Sequence, residues 1–405
     1  GRPPRKPPPR FFLLQFPGKS GILEGNTYRR GLGLPEKARA HIDYFDFLRL
    51  LAMCGVIFMH TSALLLQEEV DLQWELLNLC TAFAFTSVPL FLMMSGYLLC
   101  SNEKTMDLGL LLKKRLPRLV VPLAAWTMLA ALRICIGNGA LTLQAFLSKL
   151  AEALPSPIAV HFWYMYLMIA LYVLSPLLYS ALQGLSRQGH CYVLALIGLV
   201  TLQAMLTALL PDELEKFAAL ELISRLRIFD GHLCTFLLGY YLGRLERRVP
   251  NRVLVPLILG LWALIAGGTH VLTLQNGFLT GPFMNQSAGF EVALAACLFL
   301  FFKQNVKRKL SPRGEGRALV ALGLPIYLMH NLLIALFNHY PATLLEALCM
   351  TALNLAACWL VLKTAATIPF LCYLLTGMSF REASLSCNWI YTWHRLQGFW
   401  ERHKK

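Results

Sequence analysis

Long apolar stretches alternate with short polar connections from about residue 44 to residue 375. The apolar runs cover 44–66, 74–98, 119–137, 161–183, 191–210, 228–243, 253–270, 287–302, 318–337 and 343–375. An α-helix rises about 1.5 Å per residue and a bilayer's hydrocarbon core is about 30 Å thick, so one crossing takes about 20 mostly apolar residues. The pattern therefore predicts an all-α polytopic membrane protein with about ten transmembrane helices in one bundle. The last run is longer than a bilayer requires and contains Lys363 and Pro369, so its helix is expected to end early and continue along the surface.

Composition narrows the class without changing that picture. Of the 405 residues 57% are hydrophobic and 15% are charged, with a mean hydropathy of +0.54. An average soluble protein is less apolar and more highly charged. The runs recur along nearly the whole chain, so one membrane domain at 44–375 is expected, with no second large domain. Residues 1–43 are Pro/Gly-rich and basic, and they are expected to be a partly disordered cytoplasmic segment without a cleavable signal peptide. Residues 376–405 interleave aromatics with basic residues, which suits either a topology anchor or a cytoplasmic tail resting on anionic headgroups.

The net charge of +15 would suggest nucleic acid as a partner if it lay on one soluble surface. Here the basic residues sit between apolar runs, so the expected partner is membrane lipid and no nucleic-acid partner is expected. With the amino end inside, the inner connections hold 30 of the 37 Lys and Arg residues and the outer ones hold 4. Cytoplasmic loops are enriched in Lys and Arg, so this asymmetry predicts an even number of spans and both termini cytoplasmic. Eleven cysteines stand singly, with no CxxC pair, and are read as small core residues rather than a metal site or a disulfide framework.

The first run, Tyr44 to Leu66, carries an arginine and a histidine where apolar residues would suffice, Arg49 and His60. Such groups in a span are costly and rare. Eleven positions make about three full turns, so the two lie on one helix face some 16 Å apart along the axis. Either one alone reads as well as a snorkelling arginine or a hydrogen-bonded interior histidine. Together they favour chemistry, because histidine can take and return a hydroxyl proton while arginine stays charged and can hold a phosphate. Asp43 and Asp46 precede them, and Asp46, three residues from Arg49, is placed either to orient the guanidinium or to sit solvated at the interface.

The segment DYFDFLRLLAMCGVIFMH at 43–60 resembles the first span of the acyltransferase-3 family of integral-membrane acyltransferases, in which an Arg, ten residues and a His form the signature. FLMMSGYLL at 91–99 is similar to the family's Ser-Gly segment, and KKRLPRLVVPLAAW at 113–126 to its basic loop entering the third span. HFWYMYLMIALYVLSPLL at 161–178, FLLGYYLGR at 236–244 and LGLPIYLMH at 322–330 resemble its fourth, sixth and late spans. The matches run in family order over residues 41–375. One departure stands out: a Ser often precedes the late Ile-Tyr-Leu segment, and here Gly323 and Pro325 occupy that neighbourhood.

Several further residues carry two readings. Ser95 and Gly96 suit close helix packing or a local break. Arg115 and Arg118, three apart, suit an ordinary positive-inside anchor or an anionic nucleotide. His161, Trp163 and Tyr164 suit an aromatic belt or a sugar-stacking surface. His232 with Asp230 suits interfacial solvation or an acid–base pair. Glu291 and His330 are buried by hydropathy and are candidates on that ground, His330 together with Tyr327 ahead of Glu291 because the resemblance includes them.

The resemblance implies a membrane O-acyltransferase that moves an acyl group, most often acetyl, from cytoplasmic acyl-CoA to a hydroxyl of an extracytoplasmic glycan or lipid-linked sugar. It implies His60 and Arg49 as catalytic residues, with Arg115, Arg118, Ser95, Trp163, Tyr327 and His330 binding substrates. No permanently bound cofactor and no metal are expected; acetyl-CoA or another acyl-CoA is a substrate, and the setting is a bacterial plasma membrane. A transporter or flippase for a sugar-linked lipid, with the intramembrane charges lining a pathway, is the alternative.

Overall fold

The computed structural model describes residues 42–63, 66, 69–209, 231–279, 281–306, 315–337, 341–394 and 397. Residues 1–41, Lys216, Arg225, Arg227 and Asp230 of the 211–230 stretch, and the tail beyond 394 apart from residue 397 lie outside the described residues. Among the described residues every regular element is helical. The elements are α1 (Asp43–Ser62), α2 (Leu72–Ala84), α3 (Ser87–Cys100), α4 (Pro117–Gly137), α5 (Leu143–Glu152) and α6 (Trp163–Gly184). They continue as α7 (Arg187–Leu209), α8 (Gly231–Arg244), α9 (Asn251–Asn276) and α10 (Gly289–Asn305). The chain then forms α11 (Glu315–Ala321), α12 (Gly323–Phe337), α13 (Leu344–Ala365), α14 (Pro369–Thr376) and α15 (Phe380–Ser386).

Local chemistry sets many of these boundaries. Asp71, Thr142 and Thr343 each accept a hydrogen bond from the main-chain amide three residues on, satisfying orphan donors at the starts of α2, α5 and α13. Gly277 and Gly377 close α9 and α14 in the left-handed conformation, at φ 73° and 69°. The last hydrophobic run is divided: α13 stops at Ala365, and Pro369 opens the short α14. The early stop agrees with the expectation. The continuation does not lie free on a surface, because α14 packs against α4, where the Trp126 indole donates to the Leu375 carbonyl at 3.1 Å.

Among the described residues seven helical segments are long and apolar enough to cross a membrane, or eight if α11 and α12, bent by 77°, form one broken span. The ten hydrophobic runs all contain helix, but in two of them it is a single helix shorter than a full crossing. α8 has 14 described residues and α10 has 17, below the roughly 20 of a full crossing.

α1 lies where two apolar clusters meet. Phe45, Leu48 and Ala52 pack with residues of α3, α9 and α10, while Met53, Val56, Ile57, Phe58 and Met59 pack with residues of α4, α6, α12 and α13. α3 and α8 cross at close approach. A Cβ on Gly96 would run into the Phe236 main chain, and one on Gly239 into the Met93 main chain. Gly96 thus serves close packing, and that crossing fixes the depth of its neighbour Ser95.

A second anchor holds the carboxyl-terminal helices. Lys363 is 1% exposed, its ammonium 2.9 Å from Glu315 and 4.4 Å from the ring centroids of both Trp359 and Trp389. Carboxylate and aromatic faces together balance a charge that burial alone would disfavour.

Candidate active site

Arg49 and His60 of α1 open onto two different polar groups. At one end His60 meets His161, from the turn that precedes α6, and His330 of α12. The ring centroids stand 5.1 Å apart for His60 and His330, 5.8 Å for His60 and His161, and 4.7 Å for His161 and His330. The bend between α11 and α12 brings Tyr327 and His330 to α1 and to the start of α6. Pro325, in the first turn of α12, lacks an amide hydrogen at a place where none would find a helical partner.

The supporting hydrogen bonds are specific. Nε2 of His161 lies 3.2 Å from the Leu328 carbonyl, and the Asn331 side-chain nitrogen lies 3.3 Å from its Nδ1. The Tyr327 hydroxyl donates to the His161 carbonyl. Nδ1 of His330 lies 2.5 Å from the Tyr327 carbonyl, and Asn354 donates from its side chain to the His330 carbonyl at 2.9 Å. Beside His60, the hydroxyls of Thr61 and Thr351 are 2.8 Å apart and join α1 to α13. His330 is 0% exposed. Its Nε2 has no hydrogen-bond partner among the described residues.

At the other end, the Arg49 guanidinium is 3.4 Å from the buried Asp46 carboxylate, and its side chain keeps 34% exposure. Of the two readings open for Asp46, its burial and its contact with Arg49 agree with the orienting one. Tyr172, inside α6, lies within electrostatic reach of Arg115, Arg49 and Arg118, so one phenol marks where the three guanidinium groups converge. A π-helical turn at Leu111–Arg115 carries the Leu116 amide back to the Leu111 carbonyl at 2.9 Å and re-aims the basic residues before α4. Arg115 donates to the Thr105 hydroxyl at 3.1 Å. Arg118 is half exposed and ion-paired with Glu382 of α15.

Hydroxyl groups connect the two ends. The Tyr164 ring is 5.4 Å from that of Tyr327, and its hydroxyl lies near Ser95 and within electrostatic reach of Tyr172. The series runs from the three histidines through Tyr327, Tyr164 and Ser95 to Tyr172 and the three arginines. Its span corresponds to the ~16 Å rise between Arg49 and His60.

The structure gathers His60, His330 and Tyr327 at one end, Arg49, Arg115 and Arg118 at the other, and Ser95 between them. Trp163 sits differently, with its ring against His232 at 5.3 Å and edge-on to Tyr164 at 6.2 Å. Asp230, the expected partner of His232, lies outside the described residues. Glu291 of α10 is 0% exposed, with neither carboxylate oxygen hydrogen-bonded among the described residues, and its neighbours Phe290 and Val292 belong to the other apolar cluster. No group of three His, Cys, Asp or Glu among the described residues is arranged to hold a metal ion.

Sequence reasoning underrated four residues. His161 read as readily as an interfacial belt residue, and Tyr172, Asn331 and Asn354 drew no attention. Polar groups inside apolar runs were the available signal, but only folding shows which of them meet.

The family model described as an acyltransferase domain matches residues 42–363, which includes both polar ends and the helices joining them. No curated protein and no solved structure matches the chain. With the match extending over most of its length, the chain belongs to the acyltransferase-3 family and is a multi-pass membrane acyltransferase.

Proposed function

We propose that the protein transfers an acyl group, acetyl in the first instance, from cytoplasmic acyl-CoA to a hydroxyl of an extracytoplasmic glycan or lipid-linked sugar. The single observation carrying this reading is the division of one buried helix face between an arginine group and a histidine group. A nucleotide thioester has anionic phosphates at one end and its reactive carbonyl at the other, so it needs positive charge and a proton acceptor far apart. Arg49, Arg115 and Arg118 would hold the phosphates, and His60 would remove the acceptor's proton. Ser95, Tyr327 and His330 would line the approach to the thioester, with Trp163 placed for the sugar.

In this reading the chain crosses a bacterial plasma membrane ten times with both termini cytoplasmic, which puts Arg49 at the donor side and His60 towards the acceptor. α8, α10 and the broken α11–α12 pair would supply the crossings beyond the seven long ones. Transfer is direct: the acceptor oxygen attacks the thioester carbonyl as His60 takes its proton, and the thiolate departs. A ring nitrogen acting as a base needs only hydrogen-bond reach of the hydroxyl, whereas an acyl-histidine would require a second transfer at the same atom.

The test is mass spectrometry of cell-surface glycans from cells with and without the gene, alongside thiol release from acetyl-CoA in their membranes. His60→Ala and Arg49→Ala should each abolish glycan acylation at normal protein level and membrane insertion. Full activity in either variant refutes the mechanism, and unchanged glycans with no donor consumption in the wild type favour transport instead.

A further inference from the structure

We infer that His330 acts through His60 as its proton-accepting partner, making the transfer a two-histidine relay, while His161 is held as a fixed scaffold. The inference rests on the acyl-transfer reading and assigns His330 a role beyond lining the substrate path. It follows from which ring nitrogens are already engaged.

A carbonyl oxygen only accepts hydrogen bonds, so the 3.2 Å contact to Leu328 keeps a proton on Nε2 of His161. The Asn331 amide then donates to its Nδ1. Both nitrogens of His161 are occupied, and the Tyr327 hydroxyl secures its main chain as well. His161 has no lone pair left to accept a proton.

His330 is arranged the opposite way. The Tyr327 carbonyl, 2.5 Å from Nδ1, holds the proton there, which leaves Nε2 as a bare acceptor. That nitrogen is buried and lacks a hydrogen-bond partner among the described residues. A buried acceptor left unsatisfied is costly, and such groups in native proteins call for a functional or solvent partner. The nearest ring that can supply a proton is that of His60, with centroids 5.1 Å apart. From that separation a turn of the His60 ring or a single bridging water would join the two nitrogens. Among the described residues no hydrogen bond to another residue ties the His60 ring, whose contacts with His161 and His330 are ring against ring, so it can turn to face both acceptor and His330.

The step balances as follows. The acceptor oxygen forms its bond to the thioester carbonyl carbon while its proton passes to one nitrogen of His60. The proton on the opposite nitrogen of His60 moves to Nε2 of His330, which becomes the imidazolium. When the carbon–sulfur bond breaks, the protons return along the same path and the departing thiolate leaves as the thiol. No net charge or oxidation state changes in the protein.

Two measurements test this. In membranes from the source cells, thiol release from acetyl-CoA is followed in mixtures of light and heavy water. Wild type should give a curved dependence on deuterium fraction, indicating two protons in flight. His330→Gln should lose about 10²-fold in kcat with little change in KM for acetyl-CoA, and its residual rate should depend linearly on deuterium fraction. His161→Gln should leave the curvature in place. The second measurement is the ¹⁵N spectrum of histidine-labelled wild-type protein in lipid nanodiscs, assigned with the same variants, which should show a protonated Nδ1 and bare Nε2 for His330 and the reverse for His161. Curvature retained in His330→Gln, or a protonated Nε2 on resting His330, overturns the relay. Absent thiol release in the wild type would instead overturn the acyl-transfer reading, and the spectrum would still decide the tautomers.

Discussion

Replacing Gly96 with alanine adds a single methyl group, and the structure leaves it no room. The new carbon would meet the Phe236 main chain on α8, which cannot rotate aside as a side chain would. The two helices must therefore separate, and they do so along a crossing where Gly239 approaches the Met93 main chain from the other side. Overpacking of this kind costs about 1–3 kcal/mol. At about 2.1 cal/mol/K of unfolding entropy per residue, 1 kcal/mol moves the melting midpoint of a chain this long by about 1 °C, so Gly96→Ala should lower it by roughly 1–4 °C. Ser95 would move with α3 and away from the Tyr164 hydroxyl, so donor turnover should fall further than stability alone accounts for. Gly198→Ala and Gly260→Ala are internal controls: in α7 and α9 nothing lies within 4 Å of the added carbon, and each should be neutral or stabilising by about 0.4–1 kcal/mol. Thermal unfolding in detergent, read by loss of the monodisperse peak, distinguishes the two classes. A Gly96→Ala protein that melts with its controls and turns over like wild type would show that α3 and α8 do not cross this closely.

Arg115→Gln should raise KM for acyl-CoA about tenfold or more, since a charge-assisted hydrogen bond contributes about 1.5–3 kcal/mol, while Arg118→Gln should cost less because that side chain is half exposed and shares its charge with Glu382; equal effects in steady-state kinetics would contradict the difference. Tyr327→Phe removes the donor to the His161 carbonyl and should lower kcat several-fold, corresponding to about 0.5–1.5 kcal/mol, with donor KM unchanged. Alkaline phosphatase fused after Asn276 should be active and after Arg248 inactive, as the loop charges require, and the reverse pattern would invert the assigned sides of Arg49 and His60. All eleven cysteines are free, so reductant should leave the thermal midpoint unchanged; a drop would reveal a disulfide.

The helical class was legible in the chain because a bilayer imposes a length on every crossing, and most of the apolar runs carry that length openly. Arg49 and His60 were legible because a charge or a histidine inside such a run is expensive enough to stand out, and their spacing placed them on one face. The early end of the last span could be read from Pro369. Loop charges predicted a direction for the first helix, a statement about the membrane that the arrangement of the helices does not contain.

Only tertiary structure decided which polar groups meet. His161 lies 101 residues after His60 and 169 before His330, and no local periodicity relates them. The bend at Leu322 and the packing of α12 on α1 bring the three rings together. The same holds for Tyr172, an unremarked tyrosine in an apolar span until three arginines are seen to converge on it. Local spacing reports on one helix at a time, because side chains three and four apart share a face whatever lies opposite. What lies opposite depends on how closely backbones approach and where helices bend. In this protein those properties rest on Gly96, Gly239 and the break before Gly323, whose meaning appears only once the partner helix is in place.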